Sequence, residues 1–158
     1  METIKVSTEH PKYIKMSPIW RQMDDVIKGS HAVKAKGTEF LPMLRSDQDK
    51  SEYNDYKDRA QWFAATGQAK KAYMGMLFSK EPQVNLPASM DVFKEDPTRD
   101  SKDFNTVIFS ITEEVVKFDK VGILVDMPER APGLTQAQAE LPENQPYWSK
   151  YGAESIIN

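Results

Sequence analysis

The residue types that could carry chemistry are few and scattered in this chain. It has no cysteine, which excludes thiol nucleophiles, disulfides, iron–sulfur clusters and cysteine-based zinc sites. The two histidines, His10 and His31, form neither an HxxxH nor an HExxH pattern. A metal bound by either histidine would need carboxylate partners that the sequence does not identify. We therefore predict no metal site and interpret both histidines as surface or turn residues.

Three carboxylate positions could act as general acids or bases. Asp24-Asp25 and Glu113-Glu114 are adjacent pairs in predicted helices, where neighbouring side chains point about 100° apart. A catalytic dyad needs two carboxylates in one site, so both pairs are interpreted as solvated. Asp126 follows a predicted strand, where α/β enzymes place catalytic groups. Because it has no identifiable partner, we interpret Asp126 as a turn or cap residue.

Motifs for phosphate binding and nucleophilic catalysis are missing from the sequence. It contains no GxxxxGK[ST], no GxGxxG after a strand and no GxSxG. We predict that the protein is not an enzyme and that it binds no cofactor. A net charge of −3 makes it a poor candidate for a general nucleic-acid binder. No apolar run approaches the roughly 20 residues that span a bilayer, which predicts no membrane partner.

The charges are distributed unevenly along the chain. Residues 1–80 carry 14 basic and 10 acidic side chains, whereas residues 81–158 carry 7 basic and 14 acidic ones. The asymmetry is either chance or a sign of two complementary faces that meet in an assembly. On the second interpretation Lys34, Lys36, Lys70 and Lys71 are candidates for contacts between subunits. The same asymmetry could instead be used for contacts inside one subunit.

The elements that would position these residues are mostly helices. Apolar periodicity predicts helices near residues 18–28, 51–66, 68–78 and 102–118. Ser17, Ser51 and Ser101 are their predicted N-caps, and Gly29 is expected to end the first helix. Residues 1–16 are predicted to be extended, since His10-Pro11 disfavours a helix.

One clear strand is predicted at residues 121–125, a continuous β-branched apolar run of the kind found in buried strands. Residues 83–87 could form an edge strand, and the last four residues, 155–158, resemble the start of another. The fold class is therefore α+β, with several helices on a small mixed sheet. We divide the chain into a helix-rich region (1–127), a proline-rich loop or linker (128–146) and a further segment (147–158).

Four sequence segments together resemble the N-terminal part of a protein family of tailed bacteriophages, whose members are regarded as portal proteins. In chain order they are HPKYIKMSPIWRQMDDVIKGSHAVKAKGTEFLP, YKDRAQWFAATGQAKKAYMGMLFSKEP, VGILVDMP and PYWSKYGAESIIN. The resemblance runs from His10 to Asn158. The specificity of the resemblance comes from the order of the four segments, because none of them is a catalytic signature.

The resemblance implies a structural role at the capsid vertex rather than catalysis. Portals, or head–tail connectors, form rings that usually contain twelve subunits, through which double-stranded DNA is packaged and ejected without sequence-specific binding. The implied partners are the major capsid protein, the terminase and a head–tail adaptor. The implied location is the virion, after synthesis in the cytoplasm of the host bacterium. In portals the N-terminal part generally contributes to the outer wing, so the predicted region is wing-like.

Length is the main departure from that family, whose members have several hundred residues. The apolar ending of the chain leads us to expect a fragment of a longer protein, incomplete without later sequence. The alternatives are a small head–tail adaptor or another virion assembly protein, and a stand-alone protein-binding module.

Overall fold

Helices and a two-stranded sheet make up the structure, a computed structural model that describes residues 7–129, 133, 135–139 and 141–157. The predicted α+β class is confirmed. In chain order the elements are α1 (Pro11–Lys28), α2 (Ser30–Ala35), α3 (Lys50–Arg59), α4 (Ala65–Leu77), α5 (Asp91–Glu95), α6 (Phe104–Phe118), β1 (Val121–Asp126), α7 (Gln136–Ala139) and β2 (Tyr147–Gly152).

Helix α1 begins at Pro11, well before the predicted start at residue 18. The Nδ1 atom of His10 accepts a hydrogen bond from the Lys12 amide at 3.1 Å, and Pro11 occupies a first-turn position where its missing N–H costs nothing. The predicted extended lead-in is therefore wrong from residue 11 onward. A proline restricts the residue before it, not the residues after it. Pro18 lies inside the helix, and Gly29 ends it as predicted.

The predicted helix over residues 51–66 is shorter, and a helix that was not predicted precedes it. Asp49 rather than Ser51 caps α3, because its Oδ1 atom accepts from the Glu52 amide at 2.8 Å. The helix stops at Ala60, whose backbone is extended, and α4 starts at Ala65. The mixed stretch over residues 30–42 contains α2 and a 3₁₀ turn at Gly37–Glu39.

The long loop after α4 contains no paired strand. Residues 83–87 were a possible edge strand, but they pair with neither strand of the sheet. The loop instead forms a 3₁₀ turn at Ala88–Met90 and the short α5. The next helix, α6, starts at Phe104 and has Asp103 rather than Ser101 as its cap, since Asp103 accepts from the Thr106 amide.

Strands β1 and β2 form an antiparallel pair in which Val121 opposes Gly152 and Asp126 opposes Tyr147. The sheet in the described residues is therefore antiparallel and not mixed as predicted. The predicted strand at residues 121–125 is confirmed, but its predicted burial is wrong. Ile123, Leu124 and Val125 are 42, 50 and 62% exposed, and within the described residues only β2 pairs with β1.

The strand start predicted at residues 155–158 is also wrong. The second strand lies earlier, and Ser155 belongs to a 3₁₀ turn at Ala153–Ser155. Ile157 folds back instead, and its carbonyl accepts a hydrogen bond from the His10 amide at 2.7 Å. Asn158 lies outside the described residues, as do parts of the predicted 128–146 loop. The described part of that loop contains α7 and a 3₁₀ turn at Pro142–Asn144.

The buried core is small and has two centres. Tyr13 and Trp20 of α1 pack against Ala153, together with the half-buried side chains Met16, Phe118 and Ile157. A second, aromatic cluster joins Phe93, Phe104 and Trp148, whose ring centroids lie 5.1–6.3 Å apart. These two clusters fix α1, α5 and α6 to the sheet and to the residues that follow it.

The chain exposes more surface than a compact protein of its mass. Its accessible surface area is 11771 Å², whereas a folded monomer of 18.1 kDa is expected to expose roughly 8,100 Å². Large apolar side chains that contribute to this exposed surface lie in α1, α4, α6 and β1.

Candidate assembly surface

The four lysines proposed for subunit contacts do not gather in one place. Lys34 donates a hydrogen bond from Nζ to the Asp58 carbonyl oxygen at 2.8 Å. Lys36 forms an ion pair with Asp25, with 3.2 Å between Nζ and Oδ2. Both lysines thus connect α2 or its C-terminal end to neighbouring parts of the same chain.

Lys70 and Lys71 differ although they are adjacent in α4. The Nζ atom of Lys70 lies 2.7 Å from Oε1 of Glu113, and the two side chains are 16 and 32% exposed. This hydrogen bond is the largest cause of the lowered pKa of the Glu113 carboxyl group. Lys71 is exposed and has no ion pair or hydrogen bond within the described residues. Lys70 from the basic half of the chain thus meets an acidic partner, Glu113, within the same subunit. A role of Lys71 between subunits stays a prediction.

The adjacent carboxylates point away from each other, as their spacing predicts. Asp25 pairs with Lys36, whereas Asp24 pairs with Lys28 one helical turn away and raises the pKa of that lysine. In α6, Glu113 pairs with Lys70 while Glu114 faces Lys117 at 3.5 Å. Neither pair therefore forms a shared acid–base site.

The remaining candidates for chemistry have structural partners. His10 caps α1, and His31 lies exposed on α2. Asp126 is the last residue of β1 and not the turn or cap residue predicted. It accepts hydrogen bonds from the hydroxyl of its cross-strand neighbour Tyr147 at 3.1 Å and from the Met127 amide at 2.8 Å. The bond from Tyr147 raises the pKa of that phenol. Within the described ranges no group of three metal-ligating side chains comes together.

Two clefts flank the Trp20 side chain. A cleft of about 360 Å³ is lined by charged residues that include Arg21, Asp24 and Glu154, and Arg21 and Glu154 pair across it at 3.1 Å. A cleft of about 460 Å³ on the other side is lined mainly by Tyr13, Met16 and other apolar residues. The indole Nε1 of Trp20 is buried without a hydrogen-bond partner in the described structure. Neither cleft contains a nucleophile paired with a base.

One exposed feature is a row of apolar side chains on α4. Tyr73, Met76 and Leu77 lie at i, i+3 and i+4 of α4 and therefore share a face. All three are more than half exposed, whereas Met74 is buried. Apolar periodicity in the sequence does not distinguish a stripe that packs in the core from a stripe that contacts a partner. We call these three residues the α4 stripe.

The second uncovered feature is the outer backbone of β1. The Trp148 amide donates to the Pro97 carbonyl oxygen at 2.7 Å, so it points away from β1. Val125, directly opposite Trp148, must then also turn its N–H and C=O away from β2. By the alternation along an antiparallel strand the same holds for Val121 and Ile123. We call the outward backbone groups of these three residues the β1 edge; within the described residues, they have no hydrogen-bond partner.

Sequence reasoning missed the residue that organises the other edge of the sheet. Arg99 has a positive φ of 60°, and its Nη2 atom donates to the carbonyl oxygens of Pro142, Glu143 and Gln145. Its guanidinium lies 4.5 Å from the centroid of the Tyr147 ring. No local motif marks this arginine, because its partners are more than 40 residues away along the chain.

Comparisons with known proteins find no match among protein-family models and none among curated proteins. None of the helices within the described ranges has the length and apolar character needed to cross a membrane.

Proposed function

We propose that the protein is a structural subunit of the phage portal ring at the capsid vertex, in the wing-like region. The observation that carries the proposal is the set of large apolar side chains that the chain leaves exposed, above all on α4 and β1. The four sequence segments that resemble portal proteins are the reason for proposing a portal ring rather than another assembly. In this role the chain contacts further copies of itself and meets capsid protein, terminase and adaptor, while DNA passes through the channel.

The uncovered surface supports an assembly role in two ways. The accessible area exceeds the compact expectation by roughly 3,700 Å². The α4 stripe also exposes three apolar side chains on one helix face, and clustered exposed apolar side chains are typical of interaction sites. A ring uses different faces of each subunit, so several separate uncovered surfaces suit it.

The side-chain geometry also suits a structural role better than a catalytic one. The carboxylates and the two histidines for which chemistry was considered are caps, ion-pair partners or exposed residues. An adaptor or a stand-alone binding module would also use exposed apolar surface, and size in solution separates these alternatives from a portal.

The test is the molar mass of the purified chain by light scattering across a range of concentrations. A portal subunit is expected to form large oligomers, or to aggregate as a partial subunit with uncovered surfaces. A monomer or dimer that stays homogeneous at high concentration would contradict the portal proposal and favour the binding module. Substituting serine for Tyr73, Met76 and Leu77 together should reduce the large species if the α4 stripe is a contact.

A further inference from the structure

The β1 edge has the properties of an inner strand rather than an edge strand. Natural edge strands are protected by lysine, proline, bulges or a covering segment. Within β1 none of these protections is present: Ile123, Leu124 and Val125 are apolar, and their side chains are exposed on both faces of the strand. An unprotected edge of this kind is a template for pairing with another strand. The β1 edge is therefore suited to pair with a further strand.

Within the described residues, the β1 edge is the strand edge whose outward groups are all free. The outer edge of β2 is partly covered, since the Pro97 carbonyl oxygen accepts a hydrogen bond from the Trp148 amide and Arg99 binds the carbonyl groups just before the strand. Pairing of the β1 edge with the same edge of a second copy brings two fully free edges together. Pairing of one surface with itself is two-fold symmetric, which requires the two β1 strands to be antiparallel.

The register follows from the sequence of the strand. When the two-fold axis passes through Ile123, Val121 faces Val125 of the other copy, and each pair exchanges both of its backbone hydrogen bonds. In that register Lys120 of each copy faces Asp126 of the other. Neither side chain has an ion pair within the described part of the chain. Shifting the axis by one residue in either direction leaves one of these three outward-facing residues without its hydrogen-bonded partner and removes this opposition of charges.

We propose that two copies of this chain associate through β1, antiparallel and centred on Ile123, to form a four-stranded sheet across the two-fold axis. This contact is separate from the ring contacts of the proposed function and does not depend on them. Ring contacts join different faces of neighbouring subunits, whereas this contact joins the same face.

Because the chain has no cysteine, single cysteines report on the contact without background. In the proposed register the Cα atoms of the two Ile123 residues lie about 5.5 Å apart, within the range that a disulfide bridges. Leu124 is similarly exposed, but its two copies are diagonal neighbours about 7–8 Å apart. Under mild oxidation Ile123→Cys should therefore form covalent dimers about tenfold faster than the matched control Leu124→Cys.

A second cross-linking experiment leaves Ile123 unchanged. Val121→Cys and Val125→Cys should each remain uncross-linked alone, and a mixture of the two chains should form a covalent heterodimer. Circular dichroism would verify that each variant is folded. Equal rates for Ile123→Cys and Leu124→Cys, or a mixture that links no faster than its components, would overturn the proposed register.

The result is independent of the portal test. Large oligomers whose Ile123→Cys variant does not cross-link would overturn the β1 pairing and leave the portal proposal standing. A chain that forms only dimers, and in which Ile123→Lys gives monomers, would support the pairing and contradict the portal proposal.

Discussion

Reversing the charge of Lys70 should destabilise the fold, whereas the same change at Lys71 should not. The Lys70 ion pair is more buried than a surface pair, so its loss costs about 1 kcal/mol, at the upper end of values for exposed pairs. Lys70→Glu also places a second carboxylate beside Glu113, which adds a repulsion of similar size. The expected loss of unfolding free energy is about 2 kcal/mol, or roughly 4–8 °C in Tm.

The matched control is Lys71→Glu, which makes the same charge change one residue away. Because Lys71 is exposed and has no partner in the described part of the chain, its substitution should change stability by no more than about 0.5 kcal/mol. Urea denaturation followed by tryptophan fluorescence measures both variants. The double variant with Lys70→Glu and Glu113→Lys should recover most of the loss. Equal stabilities of the two single variants would refute the structural role of Lys70.

The ion pair between Lys70 and Glu113 should contribute less to the unfolding free energy at acidic pH. The Lys70 ammonium group lowers the pKa of Glu113 in the folded state, below its ordinary value of 4.5. The stabilisation is therefore complete above about pH 4.5 and is lost as the pH falls through the folded-state pKa. The difference in unfolding free energy between wild type and Glu113→Gln should shrink over that acidic range. A difference that stays constant down to pH 3 would contradict this assignment.

Three further predictions concern single contacts. Asp103→Ala removes the N-cap of α6 and should cost about 1 kcal/mol in urea denaturation, while Asp103→Asn should cost less. Ala153→Leu overfills the core beside Trp20 and should cost about 1–3 kcal/mol in the same assay. Asp126→Asn removes the carboxylate that raises the pKa of Tyr147, so an alkaline spectroscopic titration should show one tyrosine ionising at lower pH.

Local sequence patterns account for much of the secondary structure. Apolar periodicity predicted α6 and its position, and the β-branched run at residues 121–125 predicted β1. The caps were less predictable, because serine and aspartate both cap helices and are often close together in this chain. The caps of α3 and α6 are Asp49 and Asp103 rather than the predicted Ser51 and Ser101.

Burial was much less predictable than secondary structure. An apolar stripe on a helix, or a continuous apolar strand, has the same sequence pattern whether it packs inside one chain or against another. The strand β1 was predicted to be buried, and Ile123, Leu124 and Val125 are exposed. Long-range contacts such as the ion pair between Lys70 and Glu113, or the carbonyl groups bound by Arg99, depend on packing that no local pattern records.

Electron microscopy of the purified full chain tests the portal proposal most directly. Class averages should show closed rings around a central channel, and the number of repeated units should be near the twelve typical of portals. Filaments, two-fold particles without a channel, or single small particles at every concentration would contradict a portal subunit.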